Sequence, residues 1–98
     1  MSATVRVLGQ EVLDAFGRSH ADARKALVAW LSIAEEQNWG SIVEVRSVYP
    51  HADFAKPYTV FNVKGGRYRL VTLINYQLQI VTIIDCLTHA EYDKGTWK

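Results

Sequence analysis

The chain has 98 residues, 49% of them hydrophobic, with 11 Lys and Arg against 10 Asp and Glu and a formal net charge of +1. That composition predicts one compact domain over residues 1–98 and excludes a disordered chain, which carries fewer apolar residues and more net charge. Cys86 is the only cysteine, so neither a disulfide framework nor a multi-cysteine zinc site is available.

The opening Met1-Ser2-Ala3-Thr4 lacks a basic region followed by a long apolar one, and the apolar stretch from Leu70 to Ile84 is broken by Asn75, Gln77 and Gln79. Neither a signal peptide nor a membrane span is expected, and the predicted location is the cytoplasm. Residues 1–55 hold five Lys/Arg against seven Asp/Glu, a balance of −2, and residues 56–98 hold six against three, a balance of +3. This asymmetry points to anion or nucleic-acid contact through the C-terminal half.

Val5, Val7 and Leu8 read as a short opening strand that Gly9 breaks. Val12, Leu13 and Phe16 repeat at helical spacing, and Gly17 is expected to stop that helix. Ser19 and Asp22 match a capping box opening a longer helix. Within it, Ala23, Ala26, Leu27, Trp30, Leu31 and Ala34 form one apolar stripe, with Trp30 read as core. Residues 41–48, with Ile42, Val43, Val45 and Val48, fit either a strand or a short third helix, and Pro50 stops both. His51-Ala52-Asp53 is expected to be surface loop.

Beyond Pro57 the period changes. Tyr58 to Val63 is rich in β-formers, and Gly65-Gly66 is a two-residue hairpin signal. From Arg67 to Asn75 the residues alternate, with Tyr68, Leu70, Thr72 and Ile74 on one face. Tyr76-Gln77 turns the chain into a strand over Gln79 to Asp85, and His89 to Lys94 suits one helical turn. Helices followed by consecutive antiparallel strands define an α+β class: an N-terminal short strand and two to three helices packed on one face of a C-terminal antiparallel sheet.

A compact polar set lies in the C-terminal half: Lys64, Arg67 and Arg69 around the hairpin, then His89, Tyr92 and Lys94. Such residues suit metal-independent RNA cleavage, where the 2′-hydroxyl is the nucleophile. The protein must then neutralise the phosphate, remove one proton and supply another. Arg grips phosphate bidentately, and His or Tyr exchanges protons or stacks on a base. The same residues have plainer readings: Lys64 and Arg67 as solvated charges, His89 as a cap, Tyr92 as an anchored ring. Arg69 inside an apolar strand is the least ordinary of them. Cys86, after Ile83-Ile84, is expected in the core, and His20, His51 and His89 lack metal-ligand spacing.

The segment Tyr58-Thr59-Val60-Phe61-Asn62-Val63-Lys64-Gly65-Gly66-Arg67-Tyr68-Arg69-Leu70-Val71 and the ending Thr88-His89-Ala90-Glu91-Tyr92-Asp93-Lys94 resemble the HigB family of RelE-like toxins. Ile74-Asn75-Tyr76 and Gln79-Ile80-Val81 match in kind and spacing, with weaker similarity over the Ala26 to Trp39 helix and Tyr49-Pro50. The resemblance implies a RelE-like fold with the site on the sheet. It also implies an mRNA endoribonuclease acting on the ribosome, without metal or other cofactor, that leaves a cyclic or 3′-phosphate and a 5′-hydroxyl. The implied partner is a HigA-like helix-turn-helix antitoxin, through which the pair contacts operator DNA. Carried over, Arg69 becomes the transition-state stabiliser, Lys64 and Arg67 phosphate contacts, and His89 and Tyr92 the acid–base and stacking pair, with Lys94 nearby. Asn62 becomes an orienting group. The family tends to be strongly basic, whereas this chain is nearly neutral. That departure leaves open a catalytically weak toxin acting as an antitoxin-bound co-regulator, beside a stand-alone RNA-binding module.

Overall fold

The computed structural model describes residues 3–95 and residue 97. The chain runs β1 (Arg6–Leu8), α1 (Gln10–Ser19), α2 (Ala21–Glu35), α3 (Ile42–Val48), β2 (Asp53–Ala55), β3 (Tyr58–Val63), β4 (Tyr68–Asn75), β5 (Ile80–Thr88) and α4 (His89–Lys94). The architecture is α+β, and the sheet has the order β1-β5-β4-β3-β2. β2 to β5 form an antiparallel meander, while β1 lies parallel to β5 and makes the sheet mixed.

Alternation along the strands divides the apolar residues between two faces. Phe61, Val63, Tyr68, Leu70 and Cys86 join the stripe of α2 in the main core, together with Trp39 and Val45. Phe61 is the hub: Trp30 meets it edge-on at 5.2 Å between ring centroids, Tyr49 at 5.2 Å, and Trp39 stacks at 6.1 Å. Val60, Val71 and Leu87 face the other way and form a small second cluster beneath Tyr92 of α4 and Trp97. Of residues 41–48, Ile42–Val48 form a helix, with Val45 wholly buried and Tyr49 just beyond it packed on the core.

Two local features hold the layers in register. Gly9 sits at φ 82°, and a Cβ there would lie 2.8 Å from the Ile83 carbonyl oxygen, so the break after β1 needs glycine for both shape and space. Gln79, also left-handed at φ 56°, turns its buried side chain to Trp39, accepting from the Trp39 N–H at 2.8 Å and donating to the Trp39 carbonyl and, at 2.7 Å, to that of Tyr76. Its own carbonyl accepts from Arg6 N–H at 2.8 Å.

Several local expectations are corrected. Gly17 does not end α1: it is buried inside the helix, whose close packing on α2 leaves Arg24 reaching the Gly17 carbonyl at 3.3 Å. Ser19 and Asp22 form no capping box, since His20 is the N-cap and makes no side-chain cap bond. Asp22 instead takes hydrogen bonds from Tyr68 Oη at 2.7 Å and Arg67 at 2.9 Å, partners far along the chain. The β3–β4 connection spans Lys64 to Arg67, with Lys64, Gly65 and Gly66 all at positive φ, and so is longer than a two-residue turn. His51 stays in the loop, but Asp53 opens β2, paired with Val60. β5 runs on to Thr88 and carries an extra residue, Ile84, between the pairs Thr72↔Ile83 and Val71↔Asp85.

Candidate functional site

The face of the sheet away from α1 and α2 is only partly covered. α4 is fixed across it by a true capping box: Thr88 Oγ1 accepts from Glu91 N–H at 3.2 Å and Glu91 Oε1 accepts from Thr88 N–H at 2.9 Å. Beside α4 lies an open groove of about 530 Å³ lined by Arg46, Pro50, His51, Ala52, Asp53, Val60, Asn62, Arg69 and Tyr92. Its floor is made by the register of three strands, since Asn62 pairs with Arg69 and Asp53 with Val60. Another hollow, about 340 Å³ between α1 and α2, is floored by Leu13, Gly17, Leu27 and Leu31 and rimmed by Gln10, Asp14, Arg18 and Arg24, none of them among the residues the sequence singled out.

Arg69 donates from Nη1 to the Gly66 carbonyl and, at 3.4 Å, to that of Tyr68. Its guanidinium lies 5.5 Å from the centroid of the Tyr92 ring. Among the described residues no carboxylate forms an ion pair with it, so its charge remains for an anion entering the groove. The Tyr92 ring stacks on Trp97 at 5.0 Å, and its hydroxyl donates to Asp53 Oδ2 at 3.4 Å. Burial, then the charge of Asp53 and the hydrogen bond to it, raise the Tyr92 phenol above its ordinary value, with Arg69 pulling the other way.

The other expected residues are distributed differently. Arg67 pairs with Asp22, off the groove. Lys64, at the hairpin, lines a separate shallow hollow with Trp30, Ile33 and Tyr49. His89 Nδ1 lies 3.1 Å from Asp93 on the exposed side of α4, and neither it nor Lys94 lines the groove. Arg46, His51 and Asp53 were missed as site residues because they belong to α3 and a short edge segment whose fold the sequence left open. The one sign of them was a cluster of polar side chains around Pro50. Cys86 is buried, and burial raises its thiol to about 12, so it is no nucleophile. Among the described residues no group of three or more His, Cys, Asp or Glu is arranged to hold a metal.

A family described as HigB_toxin, the RelE-like toxic component of a toxin-antitoxin system, matches residues 23–95. The chain belongs to the HigB toxin family. The match runs from α2 to the residue after α4 and so contains every strand of the antiparallel meander and the whole groove. This HigB-family toxin is therefore the toxic component of a toxin–antitoxin pair, and an antitoxin is its partner. No curated protein matches the chain. No helix among the described residues is long and apolar enough to cross a membrane.

Proposed function

We propose that this toxin is a metal-independent endoribonuclease that cleaves mRNA in the groove beside α4. The observation that supports this most directly is Arg69: a cation rising from the middle of a sheet, without an ion-pair partner among the described residues, over the ring of Tyr92. The ribose 2′-oxygen attacks the adjacent phosphorus, its bond to phosphorus forms, and the bond from phosphorus to the 5′-oxygen breaks. Arg69 stabilises the extra charge on the phosphoryl oxygens. Tyr92, whose raised phenol is protonated at neutral pH, gives its proton to the departing 5′-oxygen. The 2′ proton goes to an imidazole, for which His51 lines the groove while His89 does not. Asn62 orients the phosphate from the neighbouring strand. Lys64, Arg67, His89 and Lys94, on the flanks, contact RNA outside the reacting bond.

The expected setting is mRNA in the ribosome, the expected antitoxin a HigA-like helix-turn-helix protein, and operator DNA is reached only through that complex. Near-neutral charge favours a second reading, a weak toxin serving chiefly as co-regulator, because few free cations remain to dock on ribosomal RNA. Induced expression of the parent beside Arg69→Ala separates the two. The ribonuclease reading expects growth arrest and new 5′-hydroxyl ends in translated messages, both lost in the variant, with cleavage reduced about 10²–10³-fold. Normal growth at good expression of the parent sinks it.

A further inference from the structure

Resting on that reading of the groove, we infer that Asp53 is a positioning residue for cleavage: from the head of β2 it accepts the Tyr92 hydroxyl's hydrogen bond and orients that hydroxyl in the groove that Arg69 lines. Nothing in α4 itself directs that hydroxyl. The helix is six residues long, and its anchors act on the backbone, the capping box at one end and, at the other, Trp97 Nε1 donating to the Tyr92 carbonyl at 2.9 Å. Among the described residues Asp53 is the hydroxyl's hydrogen-bond partner, at 3.4 Å, a long contact that leaves room for adjustment when substrate enters.

Asp53 is itself held from two sides. Its backbone pairs with Val60 in the sheet, and Arg46 Nε donates at 3.0 Å to the carbonyl of Ala52 just before it. The short edge strand β2 thus has a use beyond extending the sheet, since it carries a carboxylate to the one phenol in the groove.

The charges explain why a carboxylate belongs there. Tyr92 faces Arg69 from β4, Asp53 from β2 and Asp93 on its own helix, with Arg46 and His51 on the groove's lining. Arg69 by itself favours loss of the phenolic proton. Asp53 opposes it and keeps the proton on the oxygen until the leaving group needs it.

The test combines proton binding with kinetics in the full chain. With tyrosine Cζ labelled by carbon-13, the Tyr92 resonance, assigned by its loss in Tyr92→Phe, reports its midpoint directly. Asp53→Asn is expected to lower that midpoint and to slow mRNA cleavage in a translation extract about 10-fold. Asp53→Ala is expected to cost about as much as Tyr92→Phe, roughly 10²-fold. In the double variant Asp53→Ala/Tyr92→Phe the losses do not add, because the two act as one unit. Unchanged cleavage and an unmoved midpoint in Asp53→Asn, or fully additive losses, overturn the inference. Asp53→Asn, nearly the same shape, decides the matter if the alanine variant fails to fold. Should Arg69→Ala and Tyr92→Phe both cleave like the parent, the ribonuclease site itself is wrong; should they fail while Asp53 acts independently, only this inference falls.

Discussion

Gln79 is the residue whose loss the structure prices most directly. It is buried to 9% exposure at the β4–β5 turn and satisfies both backbone groups of Trp39, a residue itself only 2% exposed. In Gln79→Ala the Trp39 N–H and C=O lose their partner where water has little access, and each buried orphan costs about 1–3 kcal/mol. The Tyr76 carbonyl, nearer the surface, recovers a water and adds little. The expected loss is about 2–6 kcal/mol, a large share of the roughly 5–15 kcal/mol that holds a domain folded. In a chain of this size that lowers Tm by at least about 10 °C.

The left-handed backbone at position 79 supplies a control. Gln79→Gly loses the same hydrogen bonds but relieves the positive φ, and so should be about 1 kcal/mol less damaging than Gln79→Ala. Equilibrium urea unfolding with unchanged m-value measures both. A loss below about 1 kcal/mol in Gln79→Ala refutes the reasoning, for it means water or a shift of the turn satisfies Trp39 without the side chain.

The site makes a sharp comparison of two histidines: His51→Ala should slow cleavage about 10²-fold and His89→Ala under 10-fold, and the reverse order in the same assay returns the proton-transfer role to His89. Cys86 should resist alkylation in the folded toxin at pH 8 and react once per chain in urea, since a thiol at about 12 is almost wholly protonated there; stoichiometric labelling within minutes of the folded chain contradicts its burial. The same raised thiol fixes a sign for stability: its contribution is full below the ordinary value of 9.0 and is lost as the pH climbs toward about 12.

Where side chains repeat along one element, the sequence was readable. The α2 stripe and the alternation of β4 follow from periods of 3.6 and 2 and lie where those periods put them, and the short polar segment ending in Lys94 is the helical turn expected of it. The misreadings come from partners distant in sequence. Ser19 and Asp22 have the spacing of a capping box, yet Asp22 lies where Tyr68 and Arg67 offer it stronger hydrogen bonds. Gly17 has the look of a helix stop, but it lies buried inside α1 against Arg24 of α2, and the helix runs on to Ser19. β2 has three residues, one of them the exposed Phe54, which is too little for alternation to register. Arg69 stood out as a charge inside an apolar strand and Tyr92 as part of the C-terminal polar set, and the family resemblance gave both a role, whereas Asp53, Arg46 and His51 required β2 to be placed beside β3 before they had anything to face.

That placement also bears on the chain's modest charge. RNA binding is usually argued from an excess of cations, but an excess matters only where it is not already neutralised. Arg67, an exposed hairpin cation, is paired with Asp22 and adds little to the field. Arg46 and Arg69 line a groove in which Asp53 faces the Tyr92 hydroxyl and forms no ion pair with either arginine among the described residues. The local balance in the groove is therefore positive although the chain as a whole is close to neutral. If the groove cleaves RNA as proposed, a toxin built this way would hold one phosphate at a defined place and grip the rest of its RNA weakly, and cleavage of free RNA should then be much slower than cleavage of the same message under translation.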